Sequence, residues 1–255
     1  MIKTFTLLVA LGMTAVVSAA DEPVDKIMKQ GDKAYELFKN DKALALYRKA
    51  YKLAPDRYDV LAKLTATCNN VGEDTQDKQK QEKYFKQAIV YATELVKKHP
   101  KKAEAYFYLA ITNGNLSLYR SGRGKAEAGR NIEKYARKCI ELDPDFSPGY
   151  VTLGIYYREV SQMNWFMKAL AKTLGGGLPS GTIGMSEDML RTAVEKAPDV
   201  IYPRYQLAVT LELAGKKTEA VKHYRKVIEL AVTDHQDLEK KRISAKKIKE
   251  LTSDK

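Results

Sequence analysis

Two stretches, YVTLGIYY at 150–157 and MSEDMLRTAVEKAP at 185–198, decide the fold. In the first, Tyr150, Leu153, Gly154 and Tyr157 recur at helical spacing, and in the second Leu190 and Ala193 do the same. Pro198 lacks a backbone donor and so stops the second helix. The two read as halves of one helix–turn–helix unit. Between them stands QMNWFMKALAKTLGGGLPSGTIG, at 162–184, which such a unit does not need.

Working outward, the same pattern recurs. Ile27, Gly31 and Ala34 precede Ala43, Tyr47, Ala50 and Pro55. Leu61, Leu64 and Cys68 precede Ala88, Ala92, Leu95 and Pro100, and Tyr106, Leu109 and Ala110 precede Ile132, Ala136, Cys139 and Pro144. Arg204, Leu207, Ala208 and Leu211 open a last unit closed by Ala220, Tyr224 and Val227. Small residues at the crossing positions let two helices approach, and prolines mark the joints, which is the signature of a tetratricopeptide repeat. The spacing predicts an all-α chain, a tetratricopeptide-repeat superhelix of about five repeats at 24–57, 58–102, 103–146, 147–200 and 201–234. A capping helix and tail over 235–255 follow this 21–234 domain, with Leu238, Ile248 and Leu251 expected to cover the open end of the core.

Prolines 55, 100, 144 and 198 lie 45, 44 and 54 residues apart, whereas a plain repeat takes about 34. The excess falls between the two helices of the second, third and fourth repeats, on one expected edge of the solenoid. The second excess is polar and reads as a longer turn or a helix extension. In the fourth, Phe166, Leu170 and Leu174 share one stripe while Lys168 and Lys172 fall away from it, predicting an amphipathic helix over 164–174 that is ended by glycines.

The first residues, MIKTFTLLVALGMTAVVSAA, combine Lys3, an apolar centre and a small-residue end. That predicts a signal peptide over 1–20 cleaved near Ala20, an exported location, periplasmic or secreted, and no transmembrane span in the mature chain. With 44 basic against 32 acidic residues the chain carries +12, which suits an anionic partner or a solvated basic surface. The charges are mixed along every helix rather than blocked. Cys68 and Cys139 sit at core positions of different repeats, so they read as two buried thiols, with a disulfide as the alternative in an oxidising compartment.

A superhelix of helix pairs presents a concave surface made by the first helix of each repeat. The positions flanking the core there are Ala62 and Ala66, Phe107 and Ile111, Val151 and Ile155, and Tyr205 and Val209, with Asn69, Asn115 and Arg158 one turn on. This line is mostly apolar, which favours hydrophobic side chains or an acyl chain over a peptide's terminal carboxylate. Trp165, Phe166 and Leu170 of the inserted segment join the candidate set, either as a lid over the groove or as fixed core filling it.

The run from Asn164 to Leu230 resembles the C-terminal half of the regulator of microtubule dynamics proteins, most specifically in the loop from Gly176 to Gly181. It resembles an exported, bacterial-type member of that family. The resemblance implies a tetratricopeptide-like fold, microtubule association and, for some members, organelle contact and lipid handling. An exported chain would not meet cytosolic microtubules, so the expectation kept is the fold with a peptide or lipid groove. The chain is also similar to the tetratricopeptide accessory subunits of tripartite solute transporters.

No catalytic constellation is legible. His99, His223 and His235 are scattered, and Ser180 lies in no nucleophile motif. Gly175-Gly176-Gly177 lacks the following Gly-Lys-Ser/Thr of a phosphate cradle. The chain is expected to be a non-enzymatic adaptor or scaffold, without cofactor or metal and without nucleic acid, holding a peptide or partner helix in its groove. The alternative is a carrier of a lipid or small apolar ligand beneath the inserted helix.

Overall fold

Each amphipathic segment of this chain has an apolar stripe too narrow to hide alone, so stability requires stacking. The computed structural model describes residues 21–164, 168, 169, 173, 181–234 and 236–253. Among these there are eleven helices and no strand. They are α1 (Asp21–Glu36), α2 (Asn40–Leu53), α3 (Tyr58–Asp74), α4 (Lys78–Lys98), α5 (Ala103–Ser117), α6 (Gly122–Leu142), α7 (Ser147–Gln162), α8 (Ile183–Lys196), α9 (Ile201–Leu213), α10 (Lys217–Glu229) and α11 (Asp237–Ser253). The expected all-α superhelix is the fold observed.

Helices pair as α1 with α2, α3 with α4, α5 with α6, α7 with α8, and α9 with α10, and each second helix also packs on the first helix of the next pair. In the first, second and fourth pairs a glycine receives a large side chain, Tyr47, Phe85 and Leu190 in turn. A Cβ on Gly154 of α7 would stand 2.7 Å from Leu190 Cγ of α8, so only glycine allows that crossing. Gly181 is tighter in kind, because its Cβ would meet the Tyr157 backbone oxygen at 2.8 Å, and backbone does not yield as a side chain can. Thr182 follows and caps α8 by accepting the Met185 N–H at 3.1 Å.

The excess residues of the second and third repeats are absorbed as helix. Helices α4 and α6 each run 21 residues, against 14 in α2. The α3–α4 turn occupies 75–77 alone, with Asp77 capping α4. The α4 extension lies against the α5–α6 turn, for the Tyr119 hydroxyl donates to Gln81 and its ring centroid is 6.2 Å from that of Phe85. Most of the fourth excess, including nearly all of the helix expected over 164–174, lies outside the described residues, as does the 1–20 signal segment.

Both cysteines are buried and unpaired. Burial pushes the Cys68 thiol up to about 11 and the Cys139 thiol up to about 12, so neither is a nucleophile near neutral pH. At the far end α11 packs on α10 and α9, placing Ile248 and Leu251 on the terminal core cluster. Leu238 departs from the expectation. It is 65% exposed at the start of α11, where Asp237 and Lys240 are the residues turned inward.

Candidate functional site

The first helices of successive repeats stand side by side, and their facing sides form a groove that holds a cavity of about 480 Å³. Its apolar wall is Phe107 and Ile111 from α5 with Val151 and Ile155 from α7. Those four were expected on the concave line, and the structure brings them together. The Phe107 ring is fixed edge-on to Phe146, with centroids 5.7 Å apart. Tyr202 and Pro203, at the start of α9, extend the wall.

The opposite side is polar and comes from a segment that periodicity gave no reason to place there. The loop between α10 and α11 crosses to the second repeat, where Gln236 Nε2 donates a 2.6 Å hydrogen bond to Glu73 Oε2, from 163 residues further along the chain. Asp237 Oδ2 shapes that loop by accepting the backbone N–H groups of Thr233 and Asp234 at 2.9 and 2.8 Å. Lys240, one turn into α11, is buried. Its Nζ donates to Gln236 Oε1 at 2.7 Å and stands 5.0 Å from the Tyr202 ring centroid. Burial lowers the Lys240 pKa, while the charges of Asp234, Asp237 and Glu73 act in the opposite direction. The result is a trough with an aliphatic–aromatic floor and a charged, hydrogen-bonding rim.

The other expected residues take different places. Asn115 sits on the rim, its Nδ2 lying 3.3 Å from both Asn69 Oδ1 and Glu73 Oε1. Arg158 is only 7% exposed and ties two repeats together. Its Nη2 donates to Gln206 Oε1 at 2.9 Å, and its Nη1 lies 3.3 Å from the Gln206 carbonyl and from Thr210 Oγ1. With its donors so engaged, it works as a cross-link between α7 and α9. Tyr205 and Val209 pack on the terminal cluster beside Ile248 and Leu251, so α11 covers the stretch where the groove would continue. Trp165, Phe166 and Leu170 lie outside the described residues.

Glu73, Gln236 and Lys240 were not legible as groove residues. The one local signal was Asp234 and Asp237 at capping spacing, which predicts a helix start but not its destination. Among the described residues no group of His, Cys, Asp and Glu is arranged to hold a metal ion, and no helix is long and apolar enough to cross a membrane.

Comparison with known proteins places this geometry in context. The family model described as Regulator of microtubule dynamics protein 1-3 matches residues 27–252. Regulator of microtubule dynamics protein 3 of Mus musculus is 23% identical over 228 residues, which is 86% of this chain and 47% of the relative. Regulator of microtubule dynamics protein 1 of Bos taurus is 24% identical over 160 residues, 62% of this chain and 50% of the relative. The chain thus spans about half the length of these relatives. Among solved structures, the thermophilic tetratricopeptide protein TTC0263 of Thermus thermophilus superposes with a TM-score of 0.66 at 20% identity, covering 88% of this chain and 98% of that one. The pilF protein of Pseudomonas aeruginosa gives 0.54 at 13% identity, covering 93% and 96%. These two likenesses concern the fold.

Proposed function

The chain belongs to the regulator of microtubule dynamics protein 1-3 family, and from that premise we propose that it is a non-catalytic repeat scaffold that docks the apolar face of a partner peptide or helix. The observation that carries this reading is the alignment of Phe107, Ile111, Val151 and Ile155 on adjacent first helices, opposite a rim of Glu73, Gln236 and Lys240. An aliphatic floor takes alternate side chains of a segment, and a polar rim takes its backbone or charged ends.

Titration with a fluorescein-labelled amphipathic peptide of leucine, alanine and glutamine tests the reading by anisotropy. Saturable binding is expected, weakened roughly tenfold or more in Ile111→Asp and Ile155→Asp, because each places an unpaired charge in an apolar contact. Equal binding to both variants would remove the groove from consideration. Organic extraction of the purified protein bears on the other occupant: stoichiometric lipid would replace the scaffold by a carrier of apolar molecules. The proposal also sets the scaffold outside the cytosol, and N-terminal sequencing beginning at Asp21 is the expected sign of export. A mature protein that retains Met1 would contradict that location.

A further inference from the structure

A second cavity, of about 330 Å³, opens on the same first helices, between α1, α3 and α5. Its chemistry opposes that of the chain around it. In a protein of +12, its walls carry Asp32, Glu36, Asp59 and Glu104 against a single lysine, Lys63.

Two of these carboxylates are matched by cations, since Asp32 pairs with Lys63 and Asp59 with Arg57 at 2.6 Å. The other two are not. Glu104 accepts hydroxyl hydrogens from Tyr108, at 2.9 Å, and from Tyr58, both neutral donors. Burial pushes the Tyr108 phenol well above its ordinary value, so that partner stays neutral at any physiological pH. No salt bridge involves Glu36 or Glu104 among the described residues. The cavity therefore holds two carboxylates without an ion-pair partner, Glu36 at its exposed mouth and Glu104 further in, beside a lining that includes Tyr35, Tyr47, Tyr58 and Tyr108. Carboxylates with aromatic rings form a cation-receiving environment. Lys102 Nζ already lies 5.1 Å from the Tyr58 centroid.

An independent feature of the cavity is an unpaired buried hydroxyl. Thr67 lines this cavity, is fully buried, and its hydroxyl has no hydrogen-bond partner. A buried hydroxyl left unpaired costs free energy, a cost that a donor arriving with a bound ligand would remove.

The cavity also adjoins the apolar groove. Ala66 lines the first and Asn70, one helical turn on, lines the second, an axial step of about 6 Å. We propose that this pocket receives a lysine or arginine side chain of the same partner segment whose apolar face lies in the groove. The inference rests on the scaffold reading and gives the partner a chemistry: an apolar stripe with a cationic residue at one end.

The test compares three fluorescein-labelled leucine–alanine peptides that differ at one terminal position: lysine, acetyl-lysine or glutamine. The lysine peptide is expected to bind wild-type protein roughly tenfold or more tightly than either neutral form, the effect of one charge-assisted contact. In the double variant Glu36→Gln, Glu104→Gln that preference should vanish while the neutral peptides bind as before. Neutral binding then also reports that the double variant is folded. Equal affinity of all three peptides for wild-type protein would overturn the cation pocket and leave the groove reading standing. Failure of all three to bind would overturn both. Spermidine displacing the lysine peptide at lower concentration than unlabelled lysine peptide would assign the pocket to free amines and overturn the assignment to a protein side chain.

Discussion

Asn70 Nδ2 of α3 donates a 3.0 Å hydrogen bond to the Tyr35 hydroxyl of α1, joining a side chain of the apolar groove to a side chain of the acidic pocket. The pair ties the first repeat to the second at the place where the two cavities meet. A net contribution of about 0.5–1.5 kcal/mol is expected of such a bond. Tyr35→Phe and Asn70→Ala should each lower stability by that order in urea unfolding. The double variant should cost less than the sum of the two, since both remove the same contact. Strict additivity would show that the bond contributes nothing.

Gly154 carries the helix crossing of the fourth repeat. A Cβ there would stand 2.7 Å from Leu190 Cγ and 3.2 Å from the Ser186 backbone oxygen, so a side chain has nowhere to go. Gly154→Leu is expected to destabilise by about 1–3 kcal/mol or more through overpacking. Thermal unfolding unchanged from wild type would contradict the crossing.

Thr67 offers the opposite sign. Replacing its unpaired hydroxyl by a methyl group in Thr67→Val should stabilise the unliganded protein by about 1 kcal/mol or more. Thr65→Val should destabilise it instead, because the Thr65 hydroxyl donates to the Leu61 carbonyl at 2.7 Å. A loss of stability in Thr67→Val would mean that the hydroxyl is satisfied.

His223 sets a pH dependence. Burial lowers its pKa from the ordinary 6.5, Arg204 and Arg191 lower it further, and Glu219 acts against them. The unfolded chain therefore takes up the proton first as pH falls. Stability should decline as pH drops below about 6.5 and level off below the folded-state value. Glu187 behaves differently. Burial raises it, but hydrogen bonds from Lys216 and Arg191 outweigh that and hold it below 4.5, so its contribution is lost only in more acid solution. The urea midpoint measured from pH 7 to pH 5 should fall in wild type and stay flatter in His223→Gln. Identical slopes would contradict the buried, disfavoured imidazolium.

Much of this architecture was legible because helix pairing is local. Gly154 and Leu190 belong to one repeat, and Pro55, Pro100, Pro144 and Pro198 mark the joints in sequence as they do in space. The groove was legible in part for the same reason, since Phe107, Ile111, Val151 and Ile155 occupy like positions in adjacent repeats. Arg158, Tyr205 and Val209 occupy like positions too. Their surroundings depend on how the superhelix ends, with α11 lying over the fifth repeat and Gln206 reaching Arg158. No periodicity carries that information. The Gln236–Glu73 contact and the acidic pocket were illegible for a related reason: each is assembled from different repeats by the curvature of the whole array. Excess length was visible, but whether it became loop or helix was decided by pairing between α4 and the α5–α6 turn, as in Tyr119 on Gln81.

We propose that the concave groove, and not another surface, holds the partner. Methyl-resolved NMR of the full chain, titrated with the unlabelled leucine–alanine–lysine peptide, tests it most directly. The methyl signals of Ile111, Val151 and Ile155 should shift together in a saturable way, while those of Val90 and Ile228, exposed on second helices of their repeats, stay in place. Saturable shifts at Val90 or Ile228 with the groove methyls unmoved would place the partner on another surface.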